Sequence, residues 1–270
     1  MTLKKIFRNN REINCHYHKH DRSPITLVFI HGMGGRQTQW HHQITFFKQF
    51  FNVITLDLPG HGQSPVIANN KTNPYTLDEY VNDIAHVISE LGSAHNIIIG
   101  HSRGGAYAYA TAQKHSLSLN ITQLILISPS PCTKLDAENF AFWNQSLDVL
   151  ESIRDNMNQF FASSGFHPDT QQTLIDEQVN AGKTNDLEVI KKLNLGMHDI
   201  ENADNFSIPT LLITSPEDKI VGADSSISFY QNIKNITYVS MSKSGHFAPL
   251  EEPEQINKII LDWILNHATS

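Results

Sequence analysis

The chain has 270 residues, 40% of them hydrophobic and 17% charged, with a net charge of −7 and a pI near 6.1. The acidic balance argues against nucleic acid as a partner, and no stretch approaches the roughly 18 apolar residues of a membrane-spanning helix. The first residues lack the apolar core of a secretion signal, so we expect a cytoplasmic monomer or homodimer that acts on a small molecule.

Apolar runs and helical patterns alternate along the chain. The runs are predicted as strands because they are uniformly apolar and end at turn residues. In chain order, we predict a hairpin at 3–8 and 11–18, strands at 25–30 and 51–56, a helix at 76–91, strands at 96–99, 122–127, 210–214 and 237–241, and a helix at 253–266. This alternation on short connections indicates an α/β fold with a doubly wound, mostly parallel sheet of eight strands.

A serine between glycines follows the strand predicted at 96–99. The pentapeptide at 100–104 reads Gly-His-Ser-Arg-Gly, and the residues after it, at 106–114, favour a helix. A tight turn from strand to helix forces such a serine into a strained conformation, and the glycines remove Cβ atoms that would clash. The hydroxyl of Ser102 is therefore expected at the carboxyl edge of the sheet, beside the first N–H groups of the helix.

Residues 132–204 interrupt the alternation of strands and helices. One or two long helices are predicted at 135–161, with shorter ones at about 168–181 and 184–195. The segment holds 13 Asp and Glu residues against 5 Lys and Arg, a net charge of −8. A helical insertion in a parallel sheet emerges where such folds bind ligands. We therefore predict a helical lid at 132–204, inserted after strand six of a core formed by 1–131 and 205–270.

A serine nucleophile needs a base to remove its proton, and the base is best a histidine oriented by an acid. Of the 15 histidines, His246 follows the last predicted strand, in a loop with a glycine, and Asp218 follows the strand before it. The carboxyl ends of parallel strands lie together, so Ser102, Asp218 and His246 are expected to converge. Glu217, next to Asp218, is the alternative acid.

These features resemble the α/β-hydrolase superfamily, in particular the branch with a helical cap after the sixth strand. The resemblance extends over nearly the whole chain and includes His-Gly-Met-Gly-Gly at 31–35 and Asp-Leu-Pro-Gly-His-Gly-Gln-Ser at 57–64. It also includes the serine pentapeptide, Asp218 and the Gly-His pair at 245–246.

The resemblance implies an esterase-, lipase- or lactonase-like enzyme with no metal and no organic cofactor. Ser102 would be the nucleophile, His246 the base and Asp218 the orienting acid, as the family's motifs carry over. The backbone N–H groups of Met33 and Arg103 would form the oxyanion hole. Arg103 itself departs from the family pattern, as does Ser215, where glycine is usual.

Some side chains are candidates for contact with the substrate: His31, Phe140, Trp143 and Phe247. The aromatic residues of the insertion can line a pocket or can form the core of the lid itself. His31, like His101, has an alternative structural role in bonding the backbone near the serine. The long cation of Arg103 is expected to meet a carboxylate, preferably one of the protein, because an unpaired buried charge is costly.

Three histidines, His16, His18 and His20, alternate so that their imidazoles lie on one face of a possible strand. They lack a carboxylate or cysteine partner at a known metal-binding spacing, so we interpret them as a solvated edge.

A dinucleotide-binding fingerprint after the strand at 25–30 is equally unsupported, because Gln37 stands where its third glycine is expected.

We predict a serine hydrolase that acts on a small or medium ester, thioester or lactone through an acyl-enzyme. Hydrolysis of a C–C bond and acyl transfer use the same three residues and are the alternatives within this class. A non-catalytic ligand-binding or receptor protein on the same fold is the alternative from another class.

Overall fold

A computed structural model describes residues 2–68, 72–200 and 206–267. The strands of this part form one sheet in the order β1-β2-β4-β3-β5-β6-β7-β8. Their bounds are β1 (Thr2–Arg8), β2 (Arg11–His18), β3 (Ile25–Ile30), β4 (Asn52–Asp57), β5 (His95–His101), β6 (Ile121–Ile127), β7 (Thr210–Thr214) and β8 (Ile236–Ser240).

The described helices flank the sheet or follow its strands. Their bounds are α1 (His41–Phe47), α2 (Leu77–Leu91), α3 (Arg103–His115), α4 (Ala137–Trp143), α5 (Leu147–Ser152), α6 (Arg154–Gly165), α7 (Gln172–Lys183), α8 (Leu187–Leu195), α9 (Ala223–Tyr230), α10 (Ala248–Glu251) and α11 (Pro253–Asn266). The longest of them has 15 residues, and none has the length and hydrophobicity needed to cross a bilayer.

The sheet has an antiparallel edge and a parallel remainder. β1 pairs antiparallel with β2 and β2 antiparallel with β4, whereas all other described neighbours run parallel. This confirms the predicted doubly wound, mostly parallel eight-stranded sheet with a hairpin at its edge. The carboxyl ends of the parallel strands meet at one edge, and the loops that carry the candidate residues start there.

The central strands β3 to β7 are mostly apolar because both faces of the sheet are covered there, whereas β1 and β8 at the two edges are largely exposed. Side chains alternate along β3, so Leu27 and Phe29 pack on one face and Val28 and Ile30 on the other. Buried side chains of α1 and α11 join the first pair, and those of α2, α3 and α9 join the second pair. The sheet is therefore fixed between two apolar layers, which makes its carboxyl edge a rigid platform.

The five helices from α4 to α8 all lie between β6 and β7 in the chain. The prediction of one or two long helices at 135–161 is wrong, because three short helices form there. Side-chain caps explain where two of them begin: Asp136 accepts a hydrogen bond from the N–H of Asn139, and Ser146 accepts one from the N–H of Val149. The predicted end of the insertion, at residue 204, lies outside the described residues.

The edge hairpin is attached to α2 by a buried ion-pair cluster. Asp83 of α2 is fully buried and accepts hydrogen bonds from Arg11 Nε at 2.8 Å and from Arg8 Nε at 2.7 Å. Arg11 Nη1 also donates to the carbonyl of Pro74 at 2.7 Å. The charges are well paired, so removing one partner would leave the others buried and uncompensated.

We expect Asp83→Ala to destabilise the fold strongly. Breaking a buried ion pair costs about 3–5 kcal/mol, and each kcal/mol lowers Tm by roughly 2–4 °C in a chain of this size. Thermal unfolding should therefore show Tm lowered by roughly 6–20 °C. Asp78→Ala is the matched control on the exposed face of the same helix, and equal losses in the two variants would contradict the cluster's role.

Candidate active site

Ser102 stands at the junction of β5 and α3 in a strained backbone conformation. Its φ is 55° and its ψ is −125°, a region that residues with a Cβ atom rarely adopt. The main chain is held there by hydrogen bonds: the Ser102 N–H donates to the Ile127 carbonyl at 3.0 Å, and the Ser102 carbonyl accepts from Gly105 and Ser130. This turn presents the hydroxyl above the carboxyl edge of the sheet.

Two glycines allow α3 to approach the sheet this closely. A Cβ atom on Gly104 would lie 2.4 Å from the carbonyl oxygen of His31, at the end of β3. A Cβ atom on Gly100 would lie 2.4 Å from the carbonyl oxygen of Gly104. Neither oxygen belongs to a movable side chain, so any other residue would displace the helix and the serine with it.

His246 and Asp218 form a buried pair at the ends of two neighbouring strands. The imidazole Nδ1–H donates to Asp218 Oδ2 at 2.9 Å, and Asp218 Oδ1 accepts from the N–H groups of Ile220 and Val221 at 2.9 and 3.0 Å. Burial opposes ionisation of Asp218, but the hydrogen bond and charge of His246, with these N–H donors, lower the pKa to about 2. The carboxylate is therefore ionised at neutral pH.

Glu217, the alternative acid, has a different position. Its backbone N–H donates to Ser215 Oγ at 3.1 Å, and its side chain has no hydrogen bond with the imidazole of His246 in the described chain. Ser215 also donates to the carbonyl of Ser244. Ser215, which stands where the family usually has glycine, thus links the loop of Asp218 to the loop of His246. This second loop, at 241–247, is the histidine loop.

Ser102 and His246 line one cavity, together with Met33, Trp143 and Phe247. The structure therefore brings together the candidate nucleophile and base with two of the predicted substrate contacts. No direct hydrogen bond joins Ser102 Oγ to His246 in the part of the chain that the structure describes. Free enzymes often show such contacts long or unformed until substrate binds, so the shared cavity is the relevant geometry.

The other two predicted substrate contacts lie elsewhere. His31 is buried behind the cavity: its Nε2 accepts from the Leu58 N–H at 3.0 Å, so its Nδ1 must donate to the Gly32 carbonyl at 2.8 Å. Burial lowers the pKa of His31 to about 4, so it is neutral. Phe140 is 43% exposed on α4 and does not line the cavity. An amphipathic pattern cannot tell which aromatic residues of an insertion face inward.

His101 bonds the backbone of the candidate base. Its Nε2 donates to the carbonyl of His246 at 2.8 Å, and its Nδ1 accepts from Gln39 at 3.3 Å. Burial, assisted by the nearby His246, lowers the pKa of His101 to about 3. A neutral imidazole in this place orients the histidine loop without competing for a proton.

The histidine loop is also bonded to the inserted helices. The His246 N–H donates to the carbonyl of Gly165 at 2.5 Å. The carboxylate of Glu251 accepts from Gly245 in this loop, and from the N–H of His167 and the hydroxyl of Thr170 in the insertion. No sequence pattern indicated a role for Glu251, because a glutamate in a short helix is typical of a solvated surface.

Two backbone N–H groups beside the serine have no partner among the described residues. One belongs to Met33, after β3, and the other to Arg103, the first residue of α3. The N–H groups at a helix start cannot bond within the helix and carry partial positive charge. Both N–H groups therefore remain open to an acceptor from outside the described chain.

The side chain of Arg103 does not meet a carboxylate among the described residues, contrary to the expectation. Its Nη2 donates to the amide oxygen of Asn194 on α8 at 3.4 Å, and its buried Nε has no partner. Asn194 in turn contacts Met33 Sδ at 3.1 Å through its Nδ2. Arg103 as a whole is only partly buried, so its charge costs less without a carboxylate partner than a fully buried charge would.

No cluster of three or more His, Cys, Asp or Glu side chains suited to a metal ion occurs within residues 2–68, 72–200 and 206–267. His16, His18 and His20 are therefore not joined by further ligands of the described chain. His16 and His18 are partly exposed, but β2 lies between β1 and β4, so the interpretation as a sheet edge is wrong, and His20 follows the end of β2.

A model of the alpha/beta hydrolase family matches residues 27–259. The chain belongs to this family. A thermophilic esterase from Thermogutta terrifontis, solved with malate bound, has the same fold, with a TM-score of 0.81 at 22% identity over 100% of both chains.

Curated relatives are distant in sequence. Protein ABHD8 of Mus musculus is 24% identical over 251 residues, or 90% of this chain and 56% of ABHD8. This chain thus spans about half the length of the ABHD8 proteins it matches. The 2-hydroxy-6-oxononadienedioate/2-hydroxy-6-oxononatrienedioate hydrolase of Burkholderia vietnamiensis is 24% identical over 277 residues, or 96% of this chain and 93% of that one.

We expect Arg103→Met to lower Tm by no more than about 4 °C, which corresponds to about 1 kcal/mol. The single side-chain bond of Arg103 is at the long limit for hydrogen bonds, so little is lost with it. Arg11→Met is the control, because it removes a well-formed buried ion pair. Thermal unfolding that shows equal losses for the two variants would mean that Arg103 has a strong partner.

Proposed function

We propose that this chain is a serine hydrolase that cleaves a small or medium ester, thioester or lactone through an acyl-enzyme on Ser102. The observation that supports it most is the shared cavity of a strained Ser102 and of His246, whose Nδ1 donates to Asp218 at 2.9 Å. Esterases among proteins of the same fold support the same reaction class.

In the first half of the reaction, Ser102 Oγ attacks the carbonyl carbon of the substrate. His246 Nε2 takes the hydroxyl proton, while the ionised Asp218 stabilises the imidazolium through Nδ1. The carbonyl oxygen becomes negative and accepts hydrogen bonds from the N–H groups of Met33 and Arg103. Collapse of this intermediate breaks the bond to the leaving alcohol or thiol, which takes the proton from His246.

The second half repeats these steps with water. His246 removes a proton from the water, the resulting hydroxide attacks the acyl carbon, and the same N–H groups stabilise the oxyanion. The bond to Ser102 Oγ then breaks, and His246 returns the proton to the serine. The acid is released and the enzyme regains its starting state.

We further propose that the helices α4–α8 act as a lid over this reaction. Trp143 of α4, Phe161 of α6 and Ile190 of α8 line the same cavity as Ser102, which supports this role. Hydrolysis of a C–C bond is the alternative that the Burkholderia relative suggests. Its dienedioate carries two carboxylates, and the described cavity lining contains no Lys or Arg to bind them, so an ester-like substrate is favoured.

Ser102→Ala should abolish covalent labelling by a fluorophosphonate probe and lower kcat for p-nitrophenyl acetate by a factor on the order of 10⁴–10⁶. The variant should fold, since alanine removes only the hydroxyl. Labelling is measured by mass spectrometry of the intact chain, and folding by circular dichroism. Turnover close to that of the wild type would refute the assignment of Ser102.

Asp218→Asn should lower kcat by about 10⁴, because an amide favours the wrong tautomer of His246. Glu217→Gln is the adjacent control and should leave kcat within a few-fold. Both rates can be measured with the same ester under saturating conditions. A larger loss in the glutamine variant would make Glu217 the functional acid.

A further inference from the structure

The cavity beside Ser102 is small. Its volume is about 150 Å³, and an engineered protein cavity of about this size holds one benzene molecule. The part of a substrate enclosed here therefore has about six heavy atoms. A cavity of this size limits the size and shape of the enclosed substrate group. The few polar groups in the cavity lining then select among groups that fit.

The wall contributed by the inserted helices contains three carboxamides. Asn158 comes from α6, Gln178 from α7 and Asn185 from the residues between α7 and α8. On α6, Asn158 shares the cavity face with Phe161 and Ala162, because positions three and four residues apart lie on the same side of a helix. The inserted helices thus contribute both polar and apolar side chains to the cavity lining.

Asn158 has an unused hydrogen-bond donor. Its Nδ2 is buried and has no hydrogen-bond partner within the described chain. Its Oδ1 faces α7 at Gly182, where a Cβ atom would lie 2.6 Å from that oxygen. The whole amide group lies against α7, since the same Cβ atom would be 3.3 Å from Nδ2. A buried donor without an acceptor is costly, and a substrate oxygen in the cavity would remove that cost.

The cavity also lacks charge. None of the described residues that line it is Asp, Glu, Lys or Arg. A carboxylate or ammonium group enclosed there would lose its water without gaining a counter-ion, which is strongly unfavourable. The wall therefore discriminates against charged groups and, through Asn158, against fully apolar ones.

We propose that Asn158 is a specificity-determining residue that selects a neutral substrate with a keto, hydroxyl, ether or amide oxygen close to the scissile ester bond. The inference rests on the proposed function, because the oxygen is recognised in the cavity that opens to Ser102. Its acceptor binds Nδ2 of Asn158 while the rest of the enclosed group contacts the apolar side chains.

The test compares esters that differ only in the group that would meet Asn158. Ethyl levulinate, ethyl isohexanoate and monoethyl succinate have acyl chains of matched shape that end in a keto group, a methyl branch and a carboxylate. Acetonyl acetate and isobutyl acetate place the keto group and the methyl branch in the alcohol. Values of kcat/KM are measured for all five by titration of the released acid.

The wild type should prefer the keto ester over its methyl-branched partner by about tenfold or more in at least one matched pair. Monoethyl succinate should be the poorest of the acyl series. Asn158→Leu, which has nearly the same shape without the donor, should lose this preference: the keto ester reacts more slowly and the branched ester faster. Asn158→Ala provides the same comparison if leucine impairs folding.

Asn156→Leu is the control, because Asn156 is exposed on the same helix and should keep the wild-type ratio. Equal rates within both matched pairs, or a preference that survives in both Asn158 variants, would overturn the inference while fluorophosphonate labelling of Ser102 upholds the proposed function. Absence of both labelling and turnover in the wild type would overturn the two together.

Discussion

The strained backbone of Ser102 is the constraint on which the rest of the site depends. A conformation of this kind costs on the order of 1–3 kcal/mol, so it persists only where packing enforces it. Here α3 is pressed onto the sheet through Gly100 and Gly104, with main-chain oxygens closer than any Cβ atom would allow. One turn thereby places a hydroxyl and the free N–H of Arg103 side by side at the sheet edge.

The inserted helices also hold the histidine loop in place. The N–H of His246 bonds to Gly165 at the end of α6, and Glu251 bonds simultaneously to Gly245 and to the segment that follows α6. The position of the imidazole therefore depends on the insertion as well as on the sheet. Any movement of α6 that opened the cavity would either break these hydrogen bonds or move the histidine loop with it. The positions of the insertion and of the histidine loop are therefore coupled.

The sequence was sufficient for the centre of the sheet, because β3 to β7 are short, mostly apolar runs that a surface segment would not carry. It was also sufficient to bring His246 and Asp218 to one place, since both follow parallel strands. It was insufficient for Asn158 and Glu251, whose polar side chains occur equally on solvated helix faces. The partner of Arg103 was mispredicted because Asn194 is 91 residues away in the chain, on a helix whose packing no local pattern specifies.

The buried imidazoles of His31 and His101 are neutral, and this makes the fold less stable in acid. Burial lowers the pKa of His31 to about 4 and that of His101 to about 3. An unfolded chain would protonate these groups below pH 6.5, whereas the folded chain does not, so stability declines as the pH falls from 6.5 towards these values. The pair of Asp218 and His246 is affected differently, because the carboxylate is ionised down to about pH 2. As the pH falls, the buried neutral histidines therefore lower the stability of the fold before Asp218 becomes protonated.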